Sequence, residues 1–176
     1  NNSTESRDPS FAVDNVGNVS AAWVDGAIWD NSCQISGNRT INFISKPLAG
    51  SWSAISNLNL DQYPSYPLLA ATADSKLHLV YRAGSENKIK HVAKIGSNWS
   101  APLLVSTSSA DMSVLRAETN NLSYVFREYY QDPVLGKGRS RVMYVGFDGV
   151  AWKPNEEVSP IINDMSAEYP KLALAG

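Results

Sequence analysis

The stretch DPSFAVDNVGNVSAAW (8–23) decides the fold, because the chain repeats its pattern. In YPLLAATADSKLHLVY (66–81), Pro67 stands fourteen residues before Tyr81, the spacing that separates Pro9 from Trp23. DMSVLRAETNNLSYVF (111–126) has the same outline with Met112 in place of the proline, and YPKLALAG (169–176) starts it again at Pro170. The four anchors are spaced 58, 45 and 58 residues apart. Within each copy an apolar run meets a turn of Asn, Asp, Gly or Ser, and a second apolar run follows that closes on an aromatic. That is the pattern of a β-hairpin, and its recurrence is the signature of a repeat architecture.

A second marker recurs in phase with the first. GSWSAISNL (50–58), GSNWSAPLLVS (96–106) and DGVAWKPNEEVS (148–159) each place a glycine two or three residues before a tryptophan. Between the markers lies an alternating stretch: TINFIS, IKHVAKI and RVMYVGF. Each unit therefore reads as four short strands, and no segment has sustained helical spacing. The length differences fall between strands two and three, with long connections at 24–40 and 127–140 and a short one at 82–88. Variable connections on a constant scaffold are where function concentrates.

Four-stranded units of this length, with an aromatic closing strand two and a Gly–Trp turn, resemble the sialidase-like β-propeller superfamily that carries Asp-box repeats. FDGVAW retains Asp148, Gly149 and Trp152 of that box, and the other units retain Gly50/Trp52 and Gly96/Trp99. The resemblance implies an all-β partial propeller of about three four-stranded antiparallel blades plus the first strand of a fourth. The divisions are an N-terminal tail 1–8, blades at 9–62, 63–111 and 112–168, and an incomplete fourth blade at 169–176. It implies structural roles for Trp52, Trp99, Trp152 and Gly149, with each tryptophan packing at the bottom of its own blade. Because propellers have four to eight blades, three would leave apolar faces open. The expectation is a fragment, completed by remaining blades of the same protein or by a second chain.

Composition fits this outline. Charged residues make up 18% and hydrophobic ones 43%, a low-charge balance that suits an extracellular or cell-surface all-β protein. The net charge of −2 gives no global attraction to nucleic acid. No apolar run of about 18 residues is present to insert in a membrane. The single cysteine, Cys33, rules out an intrachain disulfide. Sequons occur at Asn1, Asn2, Asn18, Asn38, Asn98 and Asn121. No phosphate-cradling loop, HExxH or Cys-x-x-Cys motif occurs, so no cofactor and no metal site is read. DNVGN (14–18) reads as a turn rather than a calcium loop, since the ligand series is incomplete. His78 and His91 read as hydrogen-bonded strand histidines.

The candidate ligand residues lie in the long connections. FREYYQD (126–132) concentrates Arg127, Glu128, Tyr129 and Tyr130 just beyond a second strand. Arg82 follows Tyr81 as Arg127 follows Phe126, and two arginines on one rim could clamp a carboxylate. The resemblance implies that Glu128 beside Tyr129 echoes a sialidase Tyr/Glu pair. GKGRSR (136–141) is a basic cluster that suits either an anionic sugar or a solvated loop tip. Trp29 and Asp30 mark the other long connection, where an aromatic beside a carboxylate suits a pyranose. Three functions remain open: a propeller that binds glycans or a protein partner through these loops, part of a sialidase-like glycoside hydrolase, or a structural subunit of a larger extracellular complex.

Overall fold

The computed structural model of the chain describes residues 5–29, 35–36, 38–84, 86–133, 136–159 and 170. These residues are all-β, with no helix and three antiparallel sheets of four or five strands, none of them closed into a barrel. The first sheet has the order β1 (Glu5–Val13), β2 (Val19–Trp29), β4 (Thr40–Lys46), β5 (Ser56–Leu58), with β3 (Ile35–Ser36) paired to the end of β2. The second has β6 (Ser65–Ala71), β7 (Leu77–Ala83), β8 (Lys88–Ile95) and β10 (Leu103–Leu104), with β9 (Asn98–Trp99) folded onto β8. The third comprises β11 (Ala110–Glu118), β12 (Asn121–Gln131), β13 (Gly138–Phe147) and β14 (Glu156–Glu157).

The proline anchors mark bulges. The first strands shift register between Arg7 and Ser10, between Ser65 and Leu68, and between Asp111 and Val114. Pro9 and Pro67 sit inside those shifts, where a residue lacking an N–H costs no ladder hydrogen bond. Asp8 and Tyr66 before them take φ of 52° and 50°. In the third sheet this register places Ser113, not Met112, at the proline position. The expected anchor is one residue early because the hairpin between the paired Val114 and Val125 is one residue shorter than those between Ser10 and Ala22 and between Leu68 and Val80. The expected tail also enters the sheet, since β1 begins at Glu5.

The sheets stack face to face, with β1, β6 and β11 side by side. Sheet two is covered on both faces, which is why LHLVYRA reads as a nearly unbroken apolar run. Leu69, Leu79, Tyr81 and Val92 pack with Ala22, Val24, Ile41 and Phe43 of sheet one. Ala70, Val80 and Ile89 pack with Leu115, Tyr124, Phe126 and Val145 of sheet three. The β1–β2, β6–β7 and β11–β12 turns are linked in series: Asn15 Nδ2 donates to the Ala73 carbonyl (2.6 Å), and the Ala73 N–H donates to the Thr119 carbonyl (2.6 Å). In DNVGN the Asp14 carboxylate accepts the N–H groups of Val16 (3.1 Å) and Asn18 (2.8 Å), and Gly17 has φ of 86°.

The Gly–Trp segments are also equivalent in structure. The residue after each tryptophan donates to strand three of its sheet: Ser53 to Ser45, Ser100 to Ala93 and Lys153 to Gly146, each at 2.8 Å. Two of the rings reach beyond their own sheet, where the sequence led us to expect each to pack within it. Trp99 meets Phe43 of sheet one edge to face at 5.3 Å, and Trp152 meets His91 of sheet two at 5.4 Å. Each ties its sheet to the one before. Among the described residues no sheet packs against Trp52, which is 49% exposed; on the same sheet Phe11 (73%) and Val13 are exposed too.

At the second junction His78 and His91 are buried, stacked at 5.2 Å and joined Nδ1 to Nε2 at 3.0 Å. Thr72 Oγ1 caps His78 Nε2 at 3.3 Å, and Phe147 and Trp152 close around the pair. Burial pushes His78 down to about 4, with Asp74 opposing and Lys76 assisting. Burial and the charge of His78 push His91 down to about 3. Both imidazoles are therefore neutral at pH 7.

Candidate functional site

The supposed loop at 127–140 is largely strand. β12 and β13 extend past the rest of their sheet as a two-stranded arm, with Glu128 opposite Arg141 and Tyr130 opposite Arg139. Consecutive strand residues point to opposite faces, and this separates the pair that the resemblance set together. Glu128 is 3% exposed and accepts from Arg141 Nε at 2.8 Å. Tyr129, on the other face, donates its hydroxyl to Asp111 at 3.1 Å. The basic cluster is likewise engaged inside the protein. Arg139 pairs with Asp132 at 3.1 Å, and Arg141 bridges Glu128 and Glu157 while lying over the Tyr130 ring at 4.8 Å.

Register places Arg82 and Arg127 at equivalent positions, opposite Ser65 and Asp111. Their surroundings differ. Arg127 Nε and Nη2 bond both oxygens of Asp111 at 2.8 and 3.0 Å, so its fork holds the protein's own carboxylate instead of joining Arg82 in a clamp. Arg82 has a serine opposite it; it donates from Nε to Asn87 Oδ1 at 3.2 Å and lies 5.9 Å from the Tyr66 ring centre. Trp29 is the last residue of β2, opposite Ile35. Asp30, Cys33 and the Pro170 strand, apart from Pro170 itself, lie outside the described residues.

A second cationic group, which sequence reasoning missed, gathers around Arg82. Arg7 on β1 and Arg39, just before β4, lie close enough that Arg82 and Arg7 push the Arg39 pKa down, after the larger effect of burial. Arg39 lies over the Tyr63 ring at 5.8 Å, and its buried Nε has no hydrogen-bond partner among the described residues. Asp8 pairs with Arg7 at 3.4 Å. The sequence does carry a signal for this group. Arg7, Ser65 and Asp111 each stand two residues before the bulge position, so they share an end of the sheets with the residue after each closing aromatic.

Strained backbone surrounds the group. Of six non-glycine residues with positive φ among the described residues, Asp8, Tyr63, Tyr66 and Asn87 are here. Such conformations persist only where the surroundings enforce them, and they concentrate at ligand sites. Two glycines allow the close approaches that position the group. A Cβ on Gly84 would meet the Tyr63 carbonyl oxygen at 2.0 Å, and one on Gly26 would meet that of Asn38 at 2.3 Å. Among the described residues no three His, Cys, Asp or Glu side chains gather as metal ligands.

No family model matches the chain. No curated protein matches it either. Among solved structures, an ulvan lyase described as a new family of polysaccharide lyase is similar, with a TM-score of 0.49 and 13% identity, over 80% of this chain and 38% of that one. The chain thus spans well under half the length of that structure.

Proposed function

We propose that the three sheets are consecutive blades of a sialidase-like β-propeller that binds acidic glycans at the Arg7–Arg39–Arg82 end. Blades that begin at β1, β6 and β11 fit the recurring sheet-to-sheet junction, and the sequence pattern at 169–176 supports a further blade. The open Trp52 face is then met by a blade of the same protein or of a second chain. An extracellular or cell-surface location follows from the ligand class.

The observation that carries the binding reading is the arginine group itself: Arg7, Arg39 and Arg82 gather on a strained, tyrosine-lined rim. Carboxylates and sulfates match the guanidinium fork, and Tyr63 and Tyr66 offer faces to a pyranose ring. The hydrolase alternative lacks its expected Glu128–Tyr129 pair, because those side chains diverge.

Titration with oligogalacturonate and with a sulfated oligosaccharide tests the proposal. Arg39→Ala should weaken binding of at least one by about tenfold or more, the value of a charge-assisted hydrogen bond, and added salt should weaken the wild type. No binding to either probe, or equal binding by Arg39→Ala, refutes it. Release of a sialic acid reporter would instead support the hydrolase.

A further inference from the structure

The two inter-sheet tryptophans are held differently. Trp152 is enclosed by the rings of His91, Tyr124 and Phe147 at 5.2–6.4 Å. Among the described residues Trp99 has one aromatic neighbour, Phe43. The register explains why: where Trp152 has Tyr124 and Phe147, Trp99 has Leu79 and Lys94. The smaller and more polar surroundings leave one side of Trp99 facing a cleft of about 410 Å³ between the outer edges of sheets one and two. That volume lies within the range of small-ligand sites.

The walls of the cleft combine polar side chains with the apolar Leu58, Leu60 and Pro102. Asn57, Asn59 and Asp61 come from sheet one and the segment after it, and Trp99, Ser100 and Pro102 from sheet two. Asn57 and Asn59 are exposed. Each amide can both donate and accept, as a pair of vicinal hydroxyls requires. Ser100 Oγ is already committed, accepting from Ala93 N at 3.0 Å and donating to the Ala101 carbonyl at 3.1 Å. Asp61 is fixed by Tyr81 (2.5 Å) and Lys90 (2.6 Å). Burial opposes its ionisation, but those two hydrogen bonds prevail and hold the carboxyl below its usual range. The cleft therefore joins an indole, two amides and an ionised carboxylate, and no arginine lines it.

We infer that this Trp99 cleft is a second carbohydrate site, separate from the arginine group, and that it takes a neutral sugar unit. The indole supplies a stacking surface, Asn57 and Asn59 read adjacent hydroxyls, and Asp61, its charge balanced by Lys90, accepts a further hydroxyl. This goes beyond the acidic-glycan reading and does not depend on it, because the two sites share no residue.

The test uses the full 176-residue chain and neutral hexaoses of glucose, mannose, galactose and xylose. Indole N–H resonances report each tryptophan separately, and Trp99→Phe assigns the relevant one. At least one hexaose, at concentrations up to about 10 mM, should shift the Trp99 resonance. Asn57→Ala and Asn59→Ala should each weaken that binding roughly five- to tenfold, while Arg39→Ala should leave it unchanged. Both asparagines are exposed, so their variants keep the wild-type far-UV spectrum. A Trp99 resonance unmoved by all four hexaoses overturns the inference, as does wild-type affinity in both asparagine variants. Loss of acidic-glycan binding in Arg39→Ala with the hexaose shift retained separates the two sites.

Discussion

Acidification should unlock the junction between sheets two and three. His78 and His91 are neutral and buried, with folded pKa values of about 4 and about 3 against 6.5 for the free side chain. The unfolded chain therefore binds more protons than the folded one below pH 6.5, and stability must fall as pH drops through that window. Each histidine contributes roughly 1.4 kcal/mol per pH unit. Over the two units down to about pH 4.5 the pair removes on the order of 5 kcal/mol, a large share of the roughly 5–15 kcal/mol of an ordinary domain. Carboxylates do not mask the effect. Asp74, held at about 2 by Lys76 and Thr72, loses its contribution only at still lower pH. The control is written in the chain, since sheet one carries Ser20 and Phe43 at the equivalent positions. Urea unfolding of the wild type and of the double variant His78→Ser/His91→Phe, followed by circular dichroism from pH 7.5 to 4.5, measures the difference. The wild type should lose several kcal/mol and the double variant little. Parallel pH profiles would show that the histidines are not the sensor and would refute the reasoning.

Two further outcomes follow from the packing. Arg127→Ala should destabilise the chain by about 3 kcal/mol, because it strands Asp111, while leaving acidic-glycan affinity within about twofold of wild type; calorimetric melting and the oligogalacturonate titration check the two halves. Trp152→Ala should cost about 3–5 kcal/mol, as expected for an aromatic packed in a core, whereas Trp52→Ser should change stability by less than about 0.5 kcal/mol; paired thermal melts decide between them.

The all-β character and the sheet count were legible because hairpin period, turn chemistry and the Gly–Trp marker agreed with one another. The register of the third hairpin was not, since a one-residue deletion in the turn is invisible when the anchoring proline is also replaced. The site was legible only in part. Arg82 stood out, but its neighbour Arg7 fell in a stretch that read as a tail, and Arg39 in the long connection at 24–40. Their meeting depends on bulges and on the passage of 38–39 over Gly26, which no local pattern encodes. Conversely, Glu128 and Tyr129 looked like partners because they are adjacent in sequence, and in a strand adjacency places side chains on opposite faces.

The turns joined through Asn15, Ala73 and Thr119 work as the rivet of a fan. They pin the sheets to one another at one end of the strands, while Arg7, Arg39 and Arg82 lie at the other. A small rotation about the rivet leaves the pinned end almost in place and changes the separation of the arginines most. At the proposed glycan rim the spacing of the arginines is therefore set by the angle between sheets as much as by their own side chains, and a substitution in a distant turn should retune it.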